Sequence, residues 1–226
     1  MAGVEPGSAA GMVEPLSGGN AEMSAPVPAK GRLIALEGSG GRPMAVAGKF
    51  LAREFRQRNV ETGSSAWDAS DIFFQIGQGA RGLPGASPRT LILLYASDLA
   101  FRLRWQIRPA LEGGGTVIAA PYVETAIGFG RAAGLPQRWL RQIFEFAPAA
   151  DGTFRVPEDA VAMERRGTTA NSFLEFCLAQ LRSGPGYWDT EAIRCGCLAH
   201  LARLEACGRC RVADRRGVAI TPNGER

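Results

Sequence analysis

The chain has 226 residues, of which 46% are hydrophobic and 21% charged, with a formal net charge of +4. These values are ordinary for a globular protein with a sizeable core. No apolar run approaches the roughly 18 residues of a membrane span. The basic residues form no long run, the closest candidates being 164–167 and 209–216, so a nucleic-acid partner is not expected.

The N-terminal segment, residues 1–30, is rich in Gly, Pro, Ala and Ser and shows no apolar periodicity. This composition predicts a disordered tail ahead of a single domain over residues 31–226. The segment also lacks the basic start and the continuous apolar core of a signal peptide. We therefore expect a cytoplasmic protein with reduced thiols.

The first part of the domain predicts a buried strand at 32–37, followed by an amphipathic helix over 45–58. Residues 59–63 fit a short second strand. Residues 63–87 are rich in Gly, Ser and Asp, which indicates a long irregular segment.

A long helix is predicted from Pro88, because apolar residues recur every four positions. They are Leu91, Tyr95, Leu99, Leu103, Ile107 and Leu111. Pro109 is expected to kink or end this helix.

The rest of the chain alternates apolar and amphipathic segments. Strands are predicted at 116–120, 153–156 and 210–213, and helices at 136–147, 170–182 and 189–206. Strands that alternate with helices predict an α/β fold with a parallel sheet flanked by helices.

Four segments, in their order and spacing, resemble the thymidylate kinase family of P-loop nucleoside-monophosphate kinases. They are "LEGSGGRPMAV" (36–46), "LLYASDL" (93–99), "IRPALEGGGTVIAAPYVETAIGFG" (107–130) and "RVPEDAVAM" (155–163). The similarity covers roughly residues 31–182. It implies a three-layer P-loop kinase-like domain.

The glycine-rich turn departs from the family pattern, in which backbone amides, a lysine and a Ser/Thr hydroxyl hold phosphate and Mg²⁺. Met44 stands at the lysine and Ala45 at the hydroxyl, while Pro43 removes an amide donor. The residues of this degenerate phosphate loop are Gly38, Ser39, Gly40, Gly41, Arg42, Met44 and Ala45. The turn is either a residual phosphate site aided by Arg42 or a turn that binds nothing, and we favour the second interpretation.

The resemblance also implies an acceptor pocket. Tyr95 takes the place of the aromatic residue that stacks on thymine, and Tyr122 and Phe129 lie nearby; each is alternatively a packing residue. The family's Asp-Arg before the tyrosine is Ala120-Pro121 here. Arg165 and Arg166 fall in the family's lid, although a solvated charged turn explains them as well.

A thymidylate-kinase-like pseudoenzyme is the function that these departures favour, acting through a protein partner or weak nucleotide binding. Family members commonly dimerise through helices that include the long one, which implies a homodimer. The alternative is a divergent kinase that transfers the ATP γ-phosphate to a nucleoside monophosphate, with ATP and Mg²⁺ as cofactors. Otherwise no cofactor is expected.

The cysteines near the C-terminus offer a weak zinc candidate. Cys197 and His200 share a helical face and could join Cys207 and Cys210, which have the C-x-x-C spacing of zinc ligands. A C-x-x-C redox motif normally opens a helix after a strand, whereas this pair precedes a strand. We expect no metal.

Overall fold

The computed structural model of the chain describes residues 31–78, 86–157, 172–183, 186–206, 211–213 and 219–220. Both the predicted tail at 1–30 and the predicted lid arginines Arg165 and Arg166 lie outside these ranges. The strands are β1 (Arg32–Glu37), β2 (Thr62–Ala66), β3 (Thr116–Ala120), β4 (Gly152–Arg155), β5 (Arg211–Ala213) and β6 (Ala219–Ile220). The helices are α1 (Gly41–Gln57), α2 (Ile72–Gln78), α3 (Pro88–Arg102), α4 (Arg108–Glu112), α5 (Glu124–Ala132), α6 (Gln137–Ile143), α7 (Phe173–Ser183) and α8 (Thr190–Ala206).

The strands form one sheet in the order β2-β3-β1-β4-β5-β6. The pairs from β2 through β5 are parallel, and only the β5–β6 pair is antiparallel. With helices on both faces, this is the predicted three-layer α/β architecture. Its sheet order and P-loop-like strand-to-helix start agree with a nucleotide-kinase fold.

Alternating side chains on the central strands supply two separate cores. Leu33, Ala35 and Val117 face the larger core, which contains residues of α3, α5, α6, α7 and α8. Ile34 and Leu36 face the smaller core beneath α1. Because both faces of β1 are covered, its residues 33–36 are all apolar, and this is why the strand could be predicted.

The segment after α1 is more regular than its composition suggested. Residues 63–87 were expected to be irregular, but β2 spans Thr62–Ala66 and α2 spans Ile72–Gln78. Five residues of β2 pair with β3, and these hydrogen bonds outweigh the low strand propensity of Gly and Ser. The strand predicted at 59–63 therefore begins three residues later.

The long predicted helix is present, but it is not one continuous α-helix. A π-helical turn at Leu103–Ile107 joins α3 to α4, and Pro109 lies in the first turn of α4. The apolar residues from Leu91 to Ile107 that predicted this helix are at most 2% exposed and pack into the chain's own core. The stripe that the sequence offered for dimerisation is therefore used within the domain.

No helix in the part of the chain that the structure describes is long and apolar enough to cross a membrane.

Candidate functional site

The turn between β1 and α1 consists of only three residues, because α1 already begins at Gly41. Gly40 precedes the helix in an extended conformation, with φ −95°. None of Gly38, Gly40 and Gly41 is among the described residues with positive φ. An anion-binding nest requires alternation of right- and left-handed backbone conformations, and this turn does not have it.

Met44 stands at the position that the family resemblance assigns to the phosphate lysine. Its side chain is 3% exposed and packs with Leu36 and Ala47 in the core under α1. Arg42, Ala45 and the nearby Lys49 are exposed. The position that would carry a cation toward phosphate thus carries an apolar side chain directed into the core.

The backbone at Val156 approaches Gly38 so closely that a side chain at this position would not fit. A Cβ atom added at Gly38 would lie 2.8 Å from the carbonyl oxygen of Val156, well inside van der Waals contact. The Gly38 N–H donates to Thr125 Oγ1 at 3.1 Å. The hydroxyl of Ser172 donates to the carbonyl oxygen of Ser39 at 2.5 Å. These polar groups of the turn are therefore bound to α5 and to the start of α7.

The Glu37 carboxylate, at the end of β1, occupies the N-terminus of α5. Its oxygens accept hydrogen bonds from the backbone N–H groups of Val123, Glu124 and Thr125, each at 2.9 Å. The hydroxyl of Thr125 donates to it at 2.6 Å. Burial raises the pKa of Glu37, although these hydrogen bonds oppose the rise. The free amides of this helix start are thus bound by the protein's own carboxylate.

Tyr95 and Phe129, two members of the predicted acceptor pocket, are completely buried core residues. The Phe173 ring lies between them, with centroids 4.3 Å from Tyr95 and 5.7 Å from Phe129. The Tyr95 hydroxyl donates to the carbonyl oxygens of Pro121 and Tyr122. The structure thus places these two residues in the core and not at an open pocket wall, and Phe173 was not anticipated.

Tyr122, the third member, does line a cavity of about 290 Å³. Its hydroxyl donates to the carbonyl oxygen of Pro148 at 2.7 Å, and burial raises its pKa. Glu37, Glu124 and Arg141 also line this cavity. The cavity lies beside the carboxyl ends of β1 and β3, where α/β sheets commonly bind ligands.

A buried ion pair at the carboxyl ends of β2 and β3 was also missed from the sequence. Asp98 and Arg102 are completely buried, with 4.0 Å between Asp98 Oδ2 and Arg102 Nη1. Arg102 donates to the Ser65 hydroxyl, to the Ser65 carbonyl and to the Pro121 carbonyl, each at 2.9 Å. The sequence did carry one sign of this pair, because two opposite charges stand four residues apart within an otherwise apolar helical pattern. Through its hydrogen bonds Arg102 joins α3 to β2 and to the segment after β3, while its Nη1 atom, 4.0 Å from Asp98, makes no hydrogen bond within the part of the chain that the structure describes.

The zinc candidates Cys197 and His200 lie on α8 but have other partners. Cys197 Sγ donates to the Thr125 carbonyl at 3.6 Å. The ring nitrogens of His200 contact Glu124 Oε2 at 2.9 Å and an Arg131 Nη atom at 3.2 Å. Within the ranges that the structure covers, no three His, Cys, Asp or Glu residues gather as a metal site. Cys207 and Cys210 lie outside those ranges.

Glu124 links α8, α5 and α6. In addition to His200, it accepts a hydrogen bond from Arg141 at 2.8 Å. Burial alone would raise the pKa of Glu124, but the hydrogen bonds and charges of His200 and Arg141 lower it below the ordinary value. Gly128 lets α8 approach α5, since a Cβ there would meet Cys197 Sγ and His200 Cδ2 at 3.1 Å.

Comparison with curated proteins finds that this chain is similar to probable thymidylate kinases. A probable thymidylate kinase of Pyrococcus abyssi is 30% identical over 139 residues, covering 54% of this chain and 62% of that protein. Probable thymidylate kinases of Thermococcus gammatolerans and Saccharolobus solfataricus are each 28% identical, over 130 and 142 residues. The chain spans less than two thirds of the length of these relatives. No protein-family model matches it.

Proposed function

The chain is thymidylate-kinase-like, and on that premise we propose that it is a pseudoenzyme that acts by assembling with a protein partner and transfers no phosphate. The observation that carries the proposal is the burial of Met44 in the core at the phosphate-lysine position. A lysine elsewhere on α1 does not replace it, because Lys49 is more than one helical turn further along.

Phosphoryl transfer depends on groups that this turn does not offer. Catalysis of that reaction is almost entirely positioning and electrostatic stabilisation, and one missing arginine costs on the order of 10³–10⁵ in rate. Here Met44 and Ala45 replace the cation and the hydroxyl, and the Gly38 amide is bound to Thr125. The residues of the turn therefore do not fit Mg-ATP.

The acceptor side supports the same proposal. In the family resemblance, Tyr95 takes the place of the residue that stacks on thymine. The Phe173 ring packs against that tyrosine, with centroids 4.3 Å apart and an interplanar angle of 46°. A base bound against this side of Tyr95 would have to displace Phe173 from the core, which would expose a large buried aromatic ring.

We propose a second copy of the chain as the partner. Three apolar residues on the solvent side of α3 and the π-helical turn are spaced in multiples of four positions. They are Leu93, Phe101 and Trp105, which are 44%, 39% and 61% exposed. Aromatic residues at the centre of an interface provide much of its binding energy. The buried ladder faces the core, so these exposed residues are the part of the long helix that is left for assembly.

Isothermal titration calorimetry of the full chain with Mg-ATP, ADP and dTMP tests the loss of the nucleotide site. The pseudoenzyme proposal predicts no heat of binding for Mg-ATP at millimolar concentration and no ADP formed in the presence of dTMP. Micromolar binding of Mg-ATP with turnover would overturn it in favour of a divergent kinase. Binding of dTMP alone would instead indicate a sensing role for the acceptor side.

A further inference from the structure

Helix α1 and the residue that caps its C-terminus carry the entire excess of positive charge in this chain. Residues 41–58 contain five basic side chains and one acidic side chain. Removing these from the chain's 26 basic and 22 acidic residues leaves 21 of each. The sequence conceals this concentration, because the basic residues are separated by seven, four, three and two positions and form no run.

The fold aligns four of these cations along the outer surface of α1. With 3.6 residues per turn, Arg42, Lys49, Arg53 and Arg56 fall within about 60° of arc and span about 21 Å of helix. All four are exposed, and the Arg53 side chain is 66% exposed. Opposite to them, Met44, Ala47, Leu51 and Ala52 are buried against the sheet. We call the four cations the basic stripe.

Ordinary structural roles account for only part of the basic stripe. Arg56 lies in the last turn, where a cation complements the helix dipole, and it donates to the carbonyl oxygen of Thr62 at 3.2 Å. Arg53 lies 3.8 Å from Glu54, the one acidic residue of the helix. Arg42 lies in the first turn, where a cation opposes the dipole. Its position there, with no acidic residue in the same turn, has no stabilising effect on the helix.

We propose that the basic stripe binds the phosphodiester backbone of nucleic acid without sequence specificity. A continuous line of phosphates complements a straight line of cations, and duplex DNA carries one negative charge per roughly 1.7 Å of its axis. The linear sequence shows no concentrated basic element, because these basic residues are spaced apart, but the folded helix brings them onto one face. The proposal does not require a working phosphate site: Arg42 borders the glycine turn, but Lys49, Arg53 and Arg56 lie further along the helix.

Two other anionic partners fit the basic stripe less well. A bilayer-bound helix buries its apolar face in the lipid, but the apolar face of α1 is already buried against the sheet. A tight acidic protein partner needs a desolvated apolar or aromatic centre. Beside the basic stripe, Val46 is 52% exposed, and the Phe50 ring is already covered by Arg53 at 5.5 Å.

Fluorescence anisotropy with a labelled DNA duplex of arbitrary sequence tests the proposal. Four phosphate contacts predict a slope of about −3.6 for log K against log salt concentration. The double variant Lys49→Glu/Arg53→Glu should weaken binding at least tenfold and make the slope shallower by about 2. Its matched control is Arg138→Glu/Arg203→Glu, which makes the same change in net charge at exposed positions on α6 and α8.

The proposal holds if the control keeps its affinity within about threefold while the α1 variant loses binding, with both variants melting cooperatively like the parent chain. It is overturned if the parent chain does not bind the duplex at low salt, or if both variants lose affinity equally. Cosedimentation with phosphatidylserine vesicles is run in parallel. Binding to vesicles without binding to the duplex would also overturn it, in favour of a membrane surface.

Discussion

The rings of Phe173 and Tyr95 pack together with centroids 4.3 Å apart and an interplanar angle of 46°. Phe173 begins α7, whereas Tyr95 lies in the middle of α3, so this contact joins two helices that are distant in sequence. Both side chains are completely buried. The contact covers one side of the Tyr95 ring, the residue that the family resemblance assigned to base stacking, with protein.

Phe173→Ala should lower the free energy of unfolding by about 3–5 kcal/mol, because it removes buried contacts to several rings and leaves a cavity. The measurement is urea denaturation followed by circular dichroism. Phe74→Ala is the matched control, since Phe74 is 55% exposed on α2, and it should change stability by less than about 1 kcal/mol. Equal losses in the two variants would show that Phe173 is not a core residue.

Asp98→Asn should destabilise the protein by about 3–5 kcal/mol, because it leaves the buried guanidinium of Arg102 without its counter-charge. Asp98 also accepts hydrogen bonds from the backbone N–H groups of Asp68 and Ser70, each at 3.0 Å. The NH2 group of an asparagine would point at one of these two backbone N–H groups and could not accept its hydrogen bond. Thermal and urea unfolding provide the measurement.

Asp71→Asn is the control for this substitution. Asp71 is exposed and has φ 60°, a conformation that asparagine tolerates. The double variant Asp98→Asn/Arg102→Met should recover part of the loss, since it removes the uncompensated charge. A double variant as unstable as the sum of the two single variants would mean that the two side chains are not coupled.

Secondary structure was predictable where the sequence pattern and the packing agree. The strand at 32–37 has a continuously apolar centre at 33–36 because a core covers each of its faces, and the structure confirms its bounds. The sequence pattern did not predict helix α5, because it contains two glycines and glycine is typical of turns. They serve helix packing instead: a Cβ at Gly130 would meet Leu140 Cδ2 at 2.5 Å. Contacts between distant segments overrode local propensity there.

The candidate site was harder to predict because its decisive contacts are long-range. The sequence identified Met44 as out of place for a lysine, but not that its side chain enters the core. Nothing near Glu37 in sequence shows that it binds the start of α5, more than 80 residues away. Phe173 likewise reaches Tyr95 from a helix whose place beside α3 depends on the whole fold.

Glu124→Gln should alter the pH dependence of stability. The native pKa of Glu124 is lowered, so its ionised form stabilises the fold above the unfolded-state pKa, and this contribution is lost as the pH falls through the native pKa. The excess stability of the parent chain over the variant should therefore be largest near neutral pH. It should shrink below pH 4.5, the ordinary value for a glutamate.

Urea unfolding at a series of pH values between neutral and acidic checks this expectation. Glu112→Gln is the control, because Glu112 is exposed at the end of α4 and should give a nearly constant difference from the parent. His200 on α8 and Arg141 on α6 hydrogen-bond to the Glu124 carboxylate, and the buried Glu37 carboxylate interacts with it electrostatically. A Glu124→Gln difference that stays constant with pH would mean that these contacts do not favour the ionised carboxylate.

Trp105→Glu should convert a dimer into a monomer if the exposed apolar face of α3 and the π-helical turn is the interface between two copies. Trp105 is the most exposed of its three apolar residues, and the Arg104 guanidinium lies 5.1 Å from its ring centroid. A buried glutamate without a partner would cost several kcal/mol at such an interface.

Size-exclusion chromatography with light scattering over a concentration series gives the mass of the particle directly. Phe146→Glu, the same kind of change at a side chain 40% exposed outside this face, should leave the dimer intact. A parent chain that is monomeric throughout the series would refute the dimer, and a dimer that survives Trp105→Glu would place its interface on another surface.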